Sequence, residues 1–176
     1  MAQNVRVARA SYSDAPAPAL SNVIPQNKDD IFLTDGASKG VGFVLSLLLR
    51  GRSDGVLVPI PQYPLYSATL ALQESHMLGY ELVENDGWAL PTAELEAKLT
   101  KARADGVETR ALVVINPGNP TGNSLPYKNM VEVVEFCAKH KLVLMADEVG
   151  ARTPVTAASQ APSAAVRSRA VARSCA

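Results

Sequence analysis

From about Asp30 onward the chain alternates two kinds of apolar pattern. Short continuous runs at Ile31–Thr34, Val56–Ile60, Met77–Val83, Ala111–Ile115 and Leu142–Ala146 are too brief for helices and predict buried strands. Between them lie stretches whose apolar residues recur three and four apart. Ser38–Leu49 carries Val41, Val44, Leu45 and Leu48 on one face. Leu65–Gln73, Thr92–Arg103 and Tyr127–His140 follow, the last with Met130, Val133, Val134 and Cys137 together. Glu94 and Glu96 are expected to favour the positive first turn of the Thr92 helix. Strands alternating with helices predict an α/β fold of three layers, α/β/α, around a mostly parallel sheet.

The pattern divides the chain in three. Residues 1–29 are rich in Ala, Pro and Ser, hold no sustained period, and are expected to be a disordered leader or linker. Residues 30–149 form the patterned domain. Residues 150–176 hold nine alanines, four serines and four arginines but no Leu, Ile or aromatic residue. So little apolar surface predicts a disordered tail, foreign to the domain before it.

Composition changes the picture only at the margins. No run of 18 or more apolar residues occurs in the 176, so no membrane span is expected. A net charge of zero gives no nucleic-acid footprint, although the last 27 residues carry a net +4 through Arg152, Arg167, Arg169 and Arg173. Cys137 and Cys175 define no disulfide framework, which fits a reducing compartment and a cytoplasmic protein. The first ten residues have two arginines and no acid, a composition that a mitochondrial presequence also shows.

Candidate chemistry sits in the loops that leave the predicted strands, where open α/β sheets place ligands. Asn116-Pro-Gly-Asn-Pro-Thr-Gly122 is too specific a string for an ordinary turn, and Asn119 offers an amide to a ligand. Asp147 closes the next strand behind an apolar run; partly desolvated, it calls for a cationic partner, or else caps the following loop. Thr34-Asp-Gly-Ala-Ser-Lys-Gly-Val-Gly42 joins a strand to a helix through small residues, so that backbone N–H groups can approach a phosphate. Gly36, Gly40 and Gly42 also match a dinucleotide site of short-chain dehydrogenases, an alternative weakened by the missing acid after Ile60 and the missing Tyr-xxx-Lys pair. Tyr63, between Pro61 and Pro64, could stack on a flat ring or simply be a half-buried loop residue. His76 and His140 lack a second ligand at metal spacing, so no metal is expected.

Taken together, the strings Ile31–Ser38, Pro59–Ser67, Trp88–Leu90, Ile115–Gly122 and Ala146–Val149 resemble the large domain of fold-type I pyridoxal-phosphate aminotransferases. The Tyr63 and Trp88 strings are similar to the branch that moves an amino group between L-alanine and 2-oxoglutarate. The resemblance implies pyridoxal 5'-phosphate as cofactor, amino acid and 2-oxo acid substrates, and a homodimer. It implies that Ala37 and Ser38 cradle the phosphate beside Lys39, Tyr63 stacks on the ring, Asn119 bonds the ring hydroxyl and Asp147 the pyridine nitrogen. It also implies a sheet with strand order 3-2-4-5-6-7-1.

The chain departs from the family pattern after Val149. Gly150 stands where the family usually has a tyrosine, and no lysine follows Lys141. The Schiff-base lysine and the family's phosphate- and carboxylate-binding arginines therefore have no counterpart, and no catalytic residue is assigned. The expectation is a C-terminally truncated fragment, inactive by itself, whose strand at Ile31–Thr34 lacks neighbours. A non-catalytic fragment that binds full-length subunits is the further alternative.

Overall fold

Strands buried on both sides read as unbroken apolar runs, and these become the middle of the sheet. The computed structural model describes residues 32–148. Its strands are Asp54–Ile60 (β1), His76–Glu81 (β2), Glu108–Asn116 (β3) and Val143–Glu148 (β4). They form one sheet in the order β2-β1-β3-β4, every pairing parallel. That is the order the family resemblance implied for its second to fifth strands. Leu57 lies opposite both Leu78 and Leu112, and Ile115 lies opposite Asp147.

Four helices cover the two faces: Ala37–Leu48 (α1), Leu65–Leu72 (α2), Thr92–Ala104 (α3) and Tyr127–His140 (α4). Because side chains alternate along a strand, each face has its own core. Val56, Val58, Val113 and Ile115 pack against Val41, Leu45, Tyr66 and Leu70 of α1 and α2. Leu57, Leu112, Val114 and Leu144 pack against Leu95 and Leu99 of α3 and Val133, Phe136 and Cys137 of α4. Each such aliphatic side chain, once buried, contributes about 1.5–3 kcal/mol. On the α1/α2 side Phe43, Leu47 and Leu72 remain exposed.

The amino end of the sheet is closed by charge. Asp54 is fully buried at the start of β1. Its carboxylate accepts hydrogen bonds from the Arg50 backbone N–H and Nε, from Arg50 Nη2 and from Arg110 Nε, at 2.8 to 3.1 Å. This knot ties the end of α1 to β1, so α1 runs antiparallel to the strand. Its first turn therefore lies at the sheet's carboxyl end.

Three expectations change. Phe32–Thr34 forms no strand, Phe32 and Leu33 are exposed, and Ile31 lies outside the described residues. A strand needs a paired neighbour, and among the described residues the sheet offers none there. The run at Met77–Val83 starts at His76 and stops at Glu81, because β1 ends at the paired Ile60. Val83 instead makes an antiparallel bridge to Ala89 around the short 3-10 turn Glu84–Asp86. Glu96 does not serve the first turn of α3; it accepts hydrogen bonds from Lys139 and pairs with His140, fastening α3 to α4. The expected leader, 1–29, and tail, 150–176, lie outside the described residues. No described helix is long and apolar enough to cross a membrane.

Candidate functional site

Four segments converge at the carboxyl end of the sheet: the start of α1, the β1–α2 loop, the β3–α4 loop and the end of β4. Gly36 opens α1 at φ 91°, ψ 161°, a conformation that a side chain would oppose. The Gly36 N–H donates to the Thr34 carbonyl at 2.8 Å and the Thr34 hydroxyl donates to the Gly36 carbonyl at 3.0 Å, which fixes this turn. No side chain caps the helix, and its first turn contains no acid. The first-turn N–H groups, with half-buried Ala37 and exposed Ser38, thus have no side-chain partner among the described residues. Gly40 and Gly42 lie inside α1 rather than in a loop. The dinucleotide reading of Gly36, Gly40 and Gly42 therefore loses its geometry.

Asp147, half-buried at the end of β4, accepts a hydrogen bond at Oδ2 from the Tyr66 hydroxyl at 2.7 Å. Tyr66 stands in the first turn of α2 and is only 1 % exposed. Burial, and then the neighbouring Asp147 charge, holds its hydroxyl well above the ordinary phenol range, so it is a donor at any physiological pH. That bond orients the Asp147 carboxylate, while Oδ1 has no protein donor among the described residues. The sequence called for a cation here; the partner that the described residues supply is a neutral phenol. Tyr63, in the loop that leads into α2, is half-exposed.

The Asn116–Gly122 string is a self-bonded loop. Asn116 Oδ1 accepts the Leu125 N–H at 3.1 Å, Gly118 N–H donates to the Asn123 carbonyl at 2.8 Å, and Gly122 N–H donates to the Gly118 carbonyl at 2.7 Å. Any Cβ at Gly118 would collide with the Thr121 hydroxyl. The peptide bonds before Pro61, Pro117 and Pro120 are cis. Asn119, exposed, lines a cavity of about 20 Å³ with Trp88, Tyr80 and Thr121. Tyr80 belongs to the α3/α4 core, whereas Tyr66 belongs to the α1/α2 core. Asp147 joins the α1/α2 side through Tyr66, whereas the cavity beside Asn119 is lined by residues of both cores, Val114 and Ile115 among them.

Two residues escaped the sequence reading. Tyr66 was only part of a string, and no local signal marked it, because Tyr63 three positions earlier lies in the loop before the helix. Asn129 is buried on α4, in register with Val133, Phe136 and Cys137. A polar residue on an apolar stripe was the available sign. The two histidines are structural: His76 Nε2 contacts the Arg52 carbonyl and His140 contacts Glu96. Among the described residues no three His, Cys, Asp or Glu side chains are placed to hold a metal.

With the geometry established, the chain belongs to the family of class I and II aminotransferases, whose model matches residues 8–173. It is similar to the probable mitochondrial alanine aminotransferase of Dictyostelium discoideum, with 56% identity over 120 residues, 68% of this chain and 22% of that protein. It is also similar to alanine aminotransferase 2 of Panicum miliaceum, with 54% identity over 125 residues, 71% of this chain and 26% of that protein. Among solved structures, an aminotransferase from Escherichia coli matches with a TM-score of 0.57 and 33% identity, covering 64% of this chain and 26% of that one. The chain spans about a quarter of the length of the curated relatives it matches.

Proposed function

We propose that this chain is the cofactor-holding part of an alanine aminotransferase, built to bind pyridoxal 5'-phosphate for amino transfer between L-alanine and 2-oxoglutarate. The observation that carries this reading is Asp147: a strand-end carboxylate with one oxygen fixed by a buried tyrosine and the other without a donor among the described residues. The cofactor's chemical demands match what is present: an anion site, a flat face, an amide and a carboxylate at one end of a sheet. The N–H groups of Ala37 and Ser38 at the uncapped start of α1 would take the phosphate, whose charge the helix dipole favours. Tyr63 would cover the ring, Asn119 would donate to its hydroxyl, and Asp147 would accept from its protonated nitrogen. When bound, the group supplies an electron sink at the substrate's α-carbon. Tyr66 keeps the Asp147 carboxylate aimed, which supports that role.

No lysine follows Lys141, and we assign no residue of this chain to proton transfer at the substrate carbon. The names of the two relatives support alanine as amino donor, and a second subunit is the expected partner. A reducing compartment, cytoplasmic or mitochondrial, suits the unpaired buried Cys137. The test uses purified chain freed of host aminotransferase. Pyridoxal 5'-phosphate should bind saturably and weakly, with no turnover of alanine and 2-oxoglutarate, and borohydride should leave no stoichiometric adduct on any single lysine. Turnover, or a full adduct on one residue such as Lys39, would overturn the assignment of roles.

A further inference from the structure

The segment from Leu82 to Pro91 folds back beside the Asn119 loop. Val83 pairs with Ala89, and the Trp88 N–H donates to the Val83 carbonyl at 2.9 Å. Trp88 takes φ 63°, a left-handed conformation that is strained for a bulky side chain. Two residues beyond Trp88, the turn is fastened from outside by Asn129. Its Oδ1 accepts the Leu90 N–H at 2.7 Å, and its Nδ2 donates to the Leu90 carbonyl at 2.6 Å and to Glu132 at 3.2 Å. One buried amide thus closes on both backbone groups of Leu90, as a neighbouring strand would. Asn129 stands in the first turn of α4, the helix into which the Asn119 loop runs. Trp88 and Asn119 then face the same cavity.

We propose that Asn129 is a positioning residue for Asn119. By clasping Leu90 it seats Trp88 as the wall on which the Asn119 loop rests, so that the loop's shape depends on a side chain that never meets the ligand. The functional consequence rests on the reading of Asn119 given above; the structural coupling does not.

Two variants test it in the full chain. Asn129→Leu removes the clasp at nearly constant volume, and Trp88→Leu removes the wall without touching α4. Amide exchange should quicken about tenfold at Gly118, Gly122 and Leu125 in both variants, while the amides of Leu57 and Leu112 keep their protection. Quenching of Trp88, the sole tryptophan, by acrylamide should rise in Asn129→Leu. Unchanged loop amides in both variants, or equal acceleration at every amide, would overturn the proposal. A double-mutant cycle supplies the functional arm. Asn129→Leu should weaken pyridoxal 5'-phosphate binding about fivefold, and should add nothing in an Asn119→Ala background. If the unaltered chain binds no pyridoxal 5'-phosphate, the proposed function fails while the exchange measurements still decide the positioning role.

Discussion

At the amino end of the sheet a buried carboxylate is fully paired, and at the carboxyl end a second one is left half open. Asp54 receives four hydrogen bonds from Arg50 and Arg110 and faces no solvent. Asp147 receives one from Tyr66 and keeps an oxygen free among the described residues. Around Asp54 the chain is tied into α1 and β3. At the same end of the sheet as Asp147 lie the uncapped start of α1, an exposed Asn119 and a half-exposed Tyr63. The same residue type thus serves stability where its acceptor sites are all filled, and we propose that it serves binding where one is withheld.

The strongest way to break this division is Asp54→Ala. It strands two guanidinium groups, one of them largely exposed at Arg50, and should cost on the order of 3 kcal/mol in urea unfolding. Pyridoxal 5'-phosphate affinity of the folded fraction should stay unchanged; a loss there would mean that the two ends are coupled. Asp147→Asn should do the reverse. It retains an acceptor for Tyr66, leaving stability within about 0.5 kcal/mol, and should weaken cofactor binding at least roughly tenfold by removing the charge. Equal affinity in equilibrium dialysis would remove Asp147 from the site.

Tyr66→Phe sharpens the comparison from inside. It should cost about 1 kcal/mol, and cofactor affinity should fall by a smaller factor than in Asp147→Asn. The folded chain holds the Tyr66 proton above the ordinary phenol range, so unfolding releases a proton and rising pH favours unfolding. The stabilisation is complete below the unfolded phenol value of about 10 and is lost above it, so alkaline denaturation should be shallower in Tyr66→Phe than in the parent. A parallel pair of alkaline curves would show that the phenol is not buried against Asp147. The smallest effect belongs to Glu96. Hydrogen bonds from Lys139 and His140 hold its carboxyl below the usual carboxylate range. That contribution is present above the unfolded carboxylate value and disappears as pH falls through the depressed one. Glu96→Gln should change stability by less than about 1 kcal/mol at neutral pH and flatten the acid limb, because the pair is at the surface.

How much of this was legible in the sequence depends on how far each signal reaches. Val56–Ile60 and Ala111–Ile115 could be read directly, because central strands buried on both sides must be apolar throughout. The loop from Asn116 and the helix from Tyr127 were equally plain, since Pro, Gly and Asn punctuate the chain there. Ile31–Thr34 has the same apolar character but forms no strand over Phe32–Thr34, because pairing depends on a neighbour that local pattern does not reveal. Tyr63, Asn119 and Asp147 became candidates by their place at or after strand ends, and Ala37 and Ser38 by the family resemblance. Tyr66, which aims one of them, bonds across 81 positions of sequence, and no spacing rule reaches that far. Asp54 was hidden differently: a charged residue ahead of an apolar run reads as a surface acid until Arg50 and Arg110 close over it.

We propose that the carboxyl end of the sheet, and not the amino end, holds the cofactor. Titration with pyridoxamine 5'-phosphate, which lacks the aldehyde and so forms no adduct with lysine, tests it most directly when followed by backbone amide shifts. The account predicts saturable shifts at Ala37, Ser38, Tyr63, Asn119 and Asp147, with Asp54 and Glu108 unmoved. Shifts confined to the Asp54 end, or none at the five residues up to saturating ligand, would contradict it.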